Sequence, residues 1–361
     1  MSTTPAGAET LIDCQNVWKI FGANAEAAMQ AVIVRNATKK DVLQEFGCVV
    51  GVSGASLEVR RGEIFCIMGL SGSGKSTLIR LLNRLIEPTG GKVFVKGREL
   101  AALKAAELRE MRSRHIGMVF QSVALLPNRS VLDNAAFGLE VRGVARAERS
   151  AVAAQALAKV GLSDWLTRYP SELSGGMQQR VGLARALAAD PEIILMDEPF
   201  SALDPLIRRQ LQDEFRQLTK SLGKSAVFIT HDLDEAIRIG DRIAIMKDGV
   251  IIQIGTSEEI ILAPADDYVA DFVAGISRLH LIKAHSVMES LEACRRADPG
   301  LDPAELLTTT PEADIDELID LTMRSTRDGL AVVDNGAVVG VVTTRGLLRG
   351  VKGGRGDAAA R

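Results

Sequence analysis

From Leu11 to about Pro264, short β-branched apolar runs alternate with longer segments whose apolar positions recur at helical spacing. That alternation predicts an α/β core, a mainly parallel sheet covered by helices. The strand candidates are Ile64–Met68, Lys92–Val95, Ile116–Phe120, Ile193–Asp197, Ala226–Thr230 and Arg242–Met246, with Lys247-Asp248-Gly249 turning the chain into Val250–Ile254. Helices are predicted after Lys75, before His115 and over Asp204–Leu222. Between Ser122 and Arg185 strand signals vanish and helical periodicity takes over, as in Glu148–Gly161, which predicts a helical subdomain of about residues 122–185 inserted into a sheet domain of 11–265. Ahead of the first core strand, Thr38 and Asp41 read as a helix-start capping pair and Gly47 as the stop of a short helix.

The pattern changes after Pro264. A helix over Tyr268–Ala274 and a poorly patterned stretch make 266–301 a linker, and Asp302–Thr322 has helical spacing. Leu330–Val333 and Ala337–Val342 flank Asn335-Gly336, a strong hairpin signal, so a small α+β domain is predicted at about 302–351. The polar, glycine-rich end 352–361 is expected to be disordered.

With 361 residues, 47% of them hydrophobic and 25% charged, the chain can bury a substantial core. Lys and Arg number 43 against 46 Asp and Glu, and no basic stripe favours a nucleic-acid partner. No apolar run approaches the ~18 residues of a membrane span, which predicts a cytoplasmic protein. Cys14, Cys48, Cys66 and Cys294 are scattered without metal-ligand spacing and read as reduced thiols.

The chemistry concentrates in a few strings. Gly69-Leu70-Ser71-Gly72-Ser73-Gly74-Lys75-Ser76-Thr77 joins a strand to a helix and reads as a phosphate-binding loop. Its small residues let backbone N–H groups curl around an anionic oxygen at a helix N-terminus. Lys75 is placed to reach the β- and γ-phosphates of a nucleotide, and Ser76 to offer its hydroxyl to Mg²⁺. The apolar strand Ile193–Met196 ends in Asp197-Glu198, which suits Asp197 to holding Mg²⁺ through water and Glu198 to polarising an attacking water. Gln121 ends one strand, from which its amide reaches toward Mg²⁺ or the water, and His231 ends another, facing the γ-phosphate. Leu173-Ser174-Gly175-Gly176-Met177-Gln178 leads into a helix and forms a second anion-binding start.

These strings together resemble the ATP-binding-cassette (ABC) superfamily. Gly69–Thr77 is similar to its Walker A loop, Gln121 to its Q-loop, Ser174–Gln178 to its signature, Asp197-Glu198 to its Walker B acid and base, Ser201–Asp204 to its D-loop and His231 to its switch histidine. The resemblance implies ATP and Mg²⁺ as cofactors and a head-to-tail homodimer, in which Ser174, Gly175, Gly176, Gln178 and Asp204 of one protomer cover the nucleotide of the other. It also implies an aromatic stacked on adenine just before the first strand; Phe21 matches that place, with Trp18 as its rival. Leu81–Pro88, Val131–Asn134, Ser201–Ile207 and Asp232–Ile243, with the capped helix at 38–47, narrow the resemblance over about residues 11–276 to the ATPase subunits of glycine betaine/proline importers. The family implies integral-membrane permease subunits that dock near Ser122–Asn134, where Leu125-Leu126-Pro127 offers an apolar seat, and through them a substrate-binding protein, with the ATPase peripheral on the inner face of the cell membrane. Choline, carnitine or another quaternary amine is the alternative cargo. A non-transport ABC ATPase is disfavoured by the absence of long heptad repeats. The 302–351 unit resembles a single CBS repeat in place of the usual tandem pair, and Gly346 stands where the motif commonly carries a ribose-binding Asp.

Overall fold

The computed structural model describes residues 9–121, 123–201, 203–274, 282–297, 302–325 and 327–352. The chain divides into two compact units, one running to Ile254 and another from Gly255 onward.

In the first unit, β1 (Thr10–Phe21) and β2 (Val49–Arg60) are joined by α1 (Ala25–Arg35) and α2 (Lys39–Phe46). Thr38 and Asp41 form the expected capping box on α2, and Gly47 closes it in the left-handed conformation. Helix α1 goes beyond the sequence reading: its Val32-Ile33-Val34 run is β-branched, and only Ala28 and Ala31 are buried, so its amphipathic signal is weak. Next come β3 (Ile64–Met68), α3 (Lys75–Leu82), β4 (Gly90–Val95), β5 (Arg98–Glu99), α4 (Ala105–His115) and β6 (Ile116–Val119). Helices α5 (Val131–Val141), α6 (Arg146–Lys159) and α7 (Gly175–Ala188) form the helical insertion before β7 (Ile193–Asp197). The unit ends with α8 (Pro205–Ser221), β8 (Ser225–Thr230), α9 (Leu233–Ile239), β9 (Arg242–Lys247) and β10 (Val250–Gly255).

Two sheets result, an antiparallel one ordered β2-β1-β4-β5 and a larger one ordered β10-β9-β3-β8-β7-β6. In the larger sheet β9, β3, β8, β7 and β6 pair in parallel. Every residue of β3, β7 and β8 is buried, as near-continuous apolar runs between helical layers should be. Leu11, Val52, Phe65, Ile67, Leu78, Ile79, Leu195 and Ile229 belong to one core cluster that welds α3 between the two sheets. The result sets the C-terminal ends of β3, β7 and β8 side by side, where ligands of open parallel sheets bind.

The second unit begins with α10 (Ser257–Leu262) and α11 (Asp267–Val273). Residues 282–297, read from sequence as linker, instead form α12 (Ala284–Val287) and α13 (Leu291–Ala297), and Glu289 pairs with Val341. The helical spacing read over 302–322 is also overridden. Leu307–Thr309 is a strand, β11, parallel to β12 (Leu330–Asp334), and the helix is confined to α14 (Ile315–Arg324), capped by Asp314. Threonines at 308–310 and Pro311 favour extended chain once β12 is there to pair with. Strand β13 (Ala337–Val342) returns antiparallel through Asn335 and Gly336, both at positive φ, and α15 (Thr344–Lys352) closes the unit. Residues 353–361 lie outside the described residues, as does Ser122.

Candidate functional site

The loop between β3 and α3 is built around backbone contact. Gly74 precedes the helix at φ +103°, and a Cβ there would stand 2.2 Å from the carbonyl oxygen of Gly51 on β2. An isolated glycine within a strand often marks such an approach, and that is the signal by which Gly51 could have been read as part of the site. Lys75, 4% exposed, curls back so that Nζ donates to the carbonyls of Gly69 (2.7 Å) and Leu70 (3.0 Å). Burial pushes its pKa down, and the Glu198 and Asp197 carboxylates oppose that shift. Ser76 Oγ donates to Asp197 Oδ1 at 2.8 Å, so the end of β7 is latched to the first turn of α3. The hydroxyl of Ser73 is buried and has no hydrogen-bond partner among the described residues.

Across the cleft, Glu198 sits at φ +45°, a left-handed conformation costly for a non-glycine residue. Its N–H donates to the Ile229 carbonyl on β8 at 3.1 Å, which holds β7 and β8 in step. Its Oε2 lies 3.2 Å from His231 Nδ1 and 3.5 Å from Gln121 Nε2. Gln121 and His231, at the ends of the two strands that flank β7, therefore converge on one carboxylate. Gln121, Glu198 and His231 share an open cleft of about 680 Å³ with Leu70, Ser71, Gly72, Gly74, Lys75, Ser76 and Thr77. Phe21, Val49, Val50 and Gly51 form its apolar end. Phe21 is 41% exposed, whereas Trp18 is buried with its indole N–H on Asn16 Oδ1 (3.1 Å), so of the two aromatics Phe21 faces the cleft.

Other expected residues assemble elsewhere. Ser174 caps α7 and, with Gly175, Gly176 and Asp204, lines a second cleft of about 370 Å³ that shares no residue with the first. Gln178 turns into its own subdomain and donates to the carbonyls of Pro170 (3.0 Å) and Leu173 (3.3 Å). Asp204 caps α8 by accepting the Leu206 N–H at 3.0 Å. In the expected docking stretch, Leu125 and Leu126 are half-buried and Pro127 exposed. Beneath them the fully buried Asn134 accepts the Leu126 N–H and donates to the carbonyls of Leu126, Arg129 and Ser130. In the second unit a Cβ at Gly346 would stand 2.8 Å from the Val287 carbonyl oxygen, so an Asp at this position has no room. No helix among the described residues is long and apolar enough to cross a membrane.

The family model for the ABC transporter matches residues 52–201, and that for the CBS domain matches 304–353. Over 304 residues the chain is 50% identical to the glycine betaine/proline betaine transport system ATP-binding protein ProV of Salmonella typhimurium, covering 84% of this chain and 76% of that protein. Over 284 residues it is 52% identical to the glycine betaine transport ATP-binding protein OpuAA of Bacillus subtilis, covering 79% of this chain and 68% of that one. Among solved structures, a dimeric bacterial ABC transporter cassette, MJ0796, superposes with a TM-score of 0.58 at 32% identity, over 68% of this chain and 99% of the cassette. A phosphate loop latched to a strand-end acid, a glutamate in contact with a histidine in the same cleft and relatives at half identity all agree: the chain belongs to the ATP-binding proteins of ABC transporters.

Proposed function

We propose that this chain is the ATP-hydrolysing subunit that energises an importer of glycine betaine, proline betaine or a related compatible solute. The observation that carries the reading is the single cleft in which Glu198, with His231 3.2 Å from its Oε2, faces a complete phosphate loop. The backbone N–H groups of 70–75 bind the triphosphate, and Lys75 exchanges its two carbonyl acceptors for the β- and γ-phosphate oxygens. Ser76 Oγ and Asp197 Oδ1 offer two hard oxygen donors 2.8 Å apart, a set that fits Mg²⁺. The metal, when bound, neutralises charge building on the phosphates. Glu198 then accepts the proton of the attacking water, His231 orients Glu198 and contacts the γ-phosphate, and Gln121 positions the water or the metal.

Ser174, Gly175, Gly176 and Asp204 line a cleft apart from the phosphate loop of their own chain, which supports a head-to-tail homodimer in which they complete the partner's site, with Gln178 bracing the turn behind them through Pro170 and Leu173. Permease subunits in the membrane seat on 123–134, with the substrate-binding protein on their far side and this chain peripheral on the inner face. The test is reconstitution with the permease in vesicles. Uptake of labelled glycine betaine should require internal ATP and vanish with Glu198→Gln, with choline and carnitine as competing cargoes. ATP turnover without uptake of any quaternary amine would refute the transport assignment and leave the ATPase.

A further inference from the structure

The two residues proposed to carry hydrolysis come from different strands, and an arginine outside the cleft ties their supports together. Arg208 lies in the first turn of α8, and its Nη2 donates to the carbonyls of Ser201 (3.2 Å) and Leu203 (3.1 Å) in the segment that follows Glu198. Its Nη1 stands 3.5 Å from Oδ2 of Asp232, the residue after His231. Each end of this brace is anchored in turn. Ser201 donates both its Oγ–H (3.1 Å) and its N–H (3.4 Å) to the Glu198 carbonyl. Asp232 donates its N–H to Thr230 Oγ1 (2.9 Å) and caps α9 by accepting the Glu235 N–H at 3.1 Å. With His231 Nδ1 on Glu198 Oε2, the contacts close into a ring: Glu198, Ser201, Arg208, Asp232, His231 and back to Glu198.

We propose that Arg208 is a positioning residue for ATP hydrolysis, bracing Ser201 and Leu203 against Asp232 so that His231 stays on Glu198. The proposal rests on the reading of Glu198 and His231 as the hydrolytic pair. Glu198 at φ +45° needs such support, because a left-handed non-glycine residue persists only where its surroundings over-determine it. Ser201, Leu203 and Asp232, the groups that Arg208 bonds, stand outside the cleft of the phosphate loop, and only Leu203 reaches the second cleft, so the effect of Arg208 on ATP binding by one chain should be small. The planar guanidinium serves two carbonyls and a carboxylate at once, whereas the ammonium of a lysine is a point charge without that fork. A role that needed only positive charge would accept lysine.

Steady-state hydrolysis and ATP binding by the full-length chain decide the matter. Arg208→Ala should lower kcat at least tenfold, about 1.4 kcal/mol in the barrier, with KM and the ATP Kd within twofold of the parent. Arg208→Lys should stay close to the alanine variant. Asp232→Asn, which keeps an oxygen to cap α9, should lower kcat alone, and the Arg208→Ala/Asp232→Asn double variant should be no slower than the worse single one. A kcat within twofold of the parent, a matching rise in KM, full rescue by lysine or additive losses in the double variant would each overturn the proposal. Glu198→Gln and His231→Ala run beside them. If those two turn over ATP normally, the hydrolytic reading itself fails, whereas their loss beside a normal Arg208→Ala overturns the brace alone.

Discussion

Phe21 and Trp18 stand three residues apart on β1, yet replacing each by alanine should have opposite consequences. The Phe21 ring is 41% exposed at the apolar end of the cleft, and Lys19 Nζ lies over it at 5.1 Å from the centroid. With Lys19 over the ring and more than half of it covered, the loss on removing the ring falls at the low end of aromatic stacking, about 1–2 kcal/mol or roughly 5- to 30-fold in Kd. Little apolar surface leaves the core with it, so the melting temperature should barely move. Trp18 is 8% exposed, packed against Gly54 and bonded through its indole N–H to Asn16. Its truncation opens a core cavity at about 3–5 kcal/mol. At ~2–4 °C per kcal/mol for a unit of this size, the loss is roughly 6–20 °C. Titration calorimetry with ATP and a thermal melt on each variant separate the two roles. Parental ATP affinity in Phe21→Ala together with weakened binding in a folded Trp18→Ala would exchange the assignments and refute the argument from exposure.

Asn134→Ala strands the half-buried Leu126 N–H, at about 1 kcal/mol, and should open the chain to trypsin after Arg129; limited proteolysis that cuts variant and parent alike would contradict this. Glu192 accepts hydrogen bonds from Lys96, Arg61 and His115, which hold its carboxyl near a pKa of about 2 against an ordinary 4.5. The folded value lies below the unfolded one, so this contribution is present above about pH 4.5 and fades as pH falls toward 2. Screened at a quarter-exposed site, it is worth roughly 1–2 kcal/mol. Glu192→Gln should therefore lower the melting temperature at pH 7 and flatten the acid limb of the stability curve, and an unchanged acid limb would count against it. Gly74→Ala meets the Gly51 carbonyl at 2.2 Å and should abolish ATP binding, whereas Gly72→Ala, at φ +78° with open space, should cost about 1–2 kcal/mol; equal losses would show that crowding is not what the loop depends on.

The phosphate loop and the strand ending in Asp197-Glu198 were legible because their signals are local. Glycines, a lysine and an apolar run at fixed offsets impose one backbone path whatever surrounds them. The capped helix α2 and the Asn335-Gly336 hairpin were legible for the same reason. What stayed hidden depends on pairing between distant segments. Strand β11 exists because β12 lies beside it, and residues 282–297 gain their place through a pairing of Glu289 with Val341 that no local pattern announces. Helix α1 was missed because it buries only two alanines. In the site, the choice between Phe21 and Trp18 turned on exposure, and the bond from Arg208 to Ser201 and Leu203 on one side and Asp232 on the other appears only when β7 and β8 lie side by side.

If Glu198 is the base of an ATP site completed by a second copy of the chain, Glu198→Gln should trap that assembly. The substitution keeps one side-chain oxygen and the shape of the side chain but removes proton acceptance, so bound ATP should persist and hold two chains together. Light scattering coupled to size exclusion, with ATP and Mg²⁺ in the running buffer, reads the outcome against the 38.7 kDa of one chain. A species of twice that mass carrying unhydrolysed ATP is expected, and it should fall back to one chain when nucleotide is removed. A variant that stays at the mass of one chain in saturating ATP, or that hydrolyses ATP at the parental rate, would contradict it.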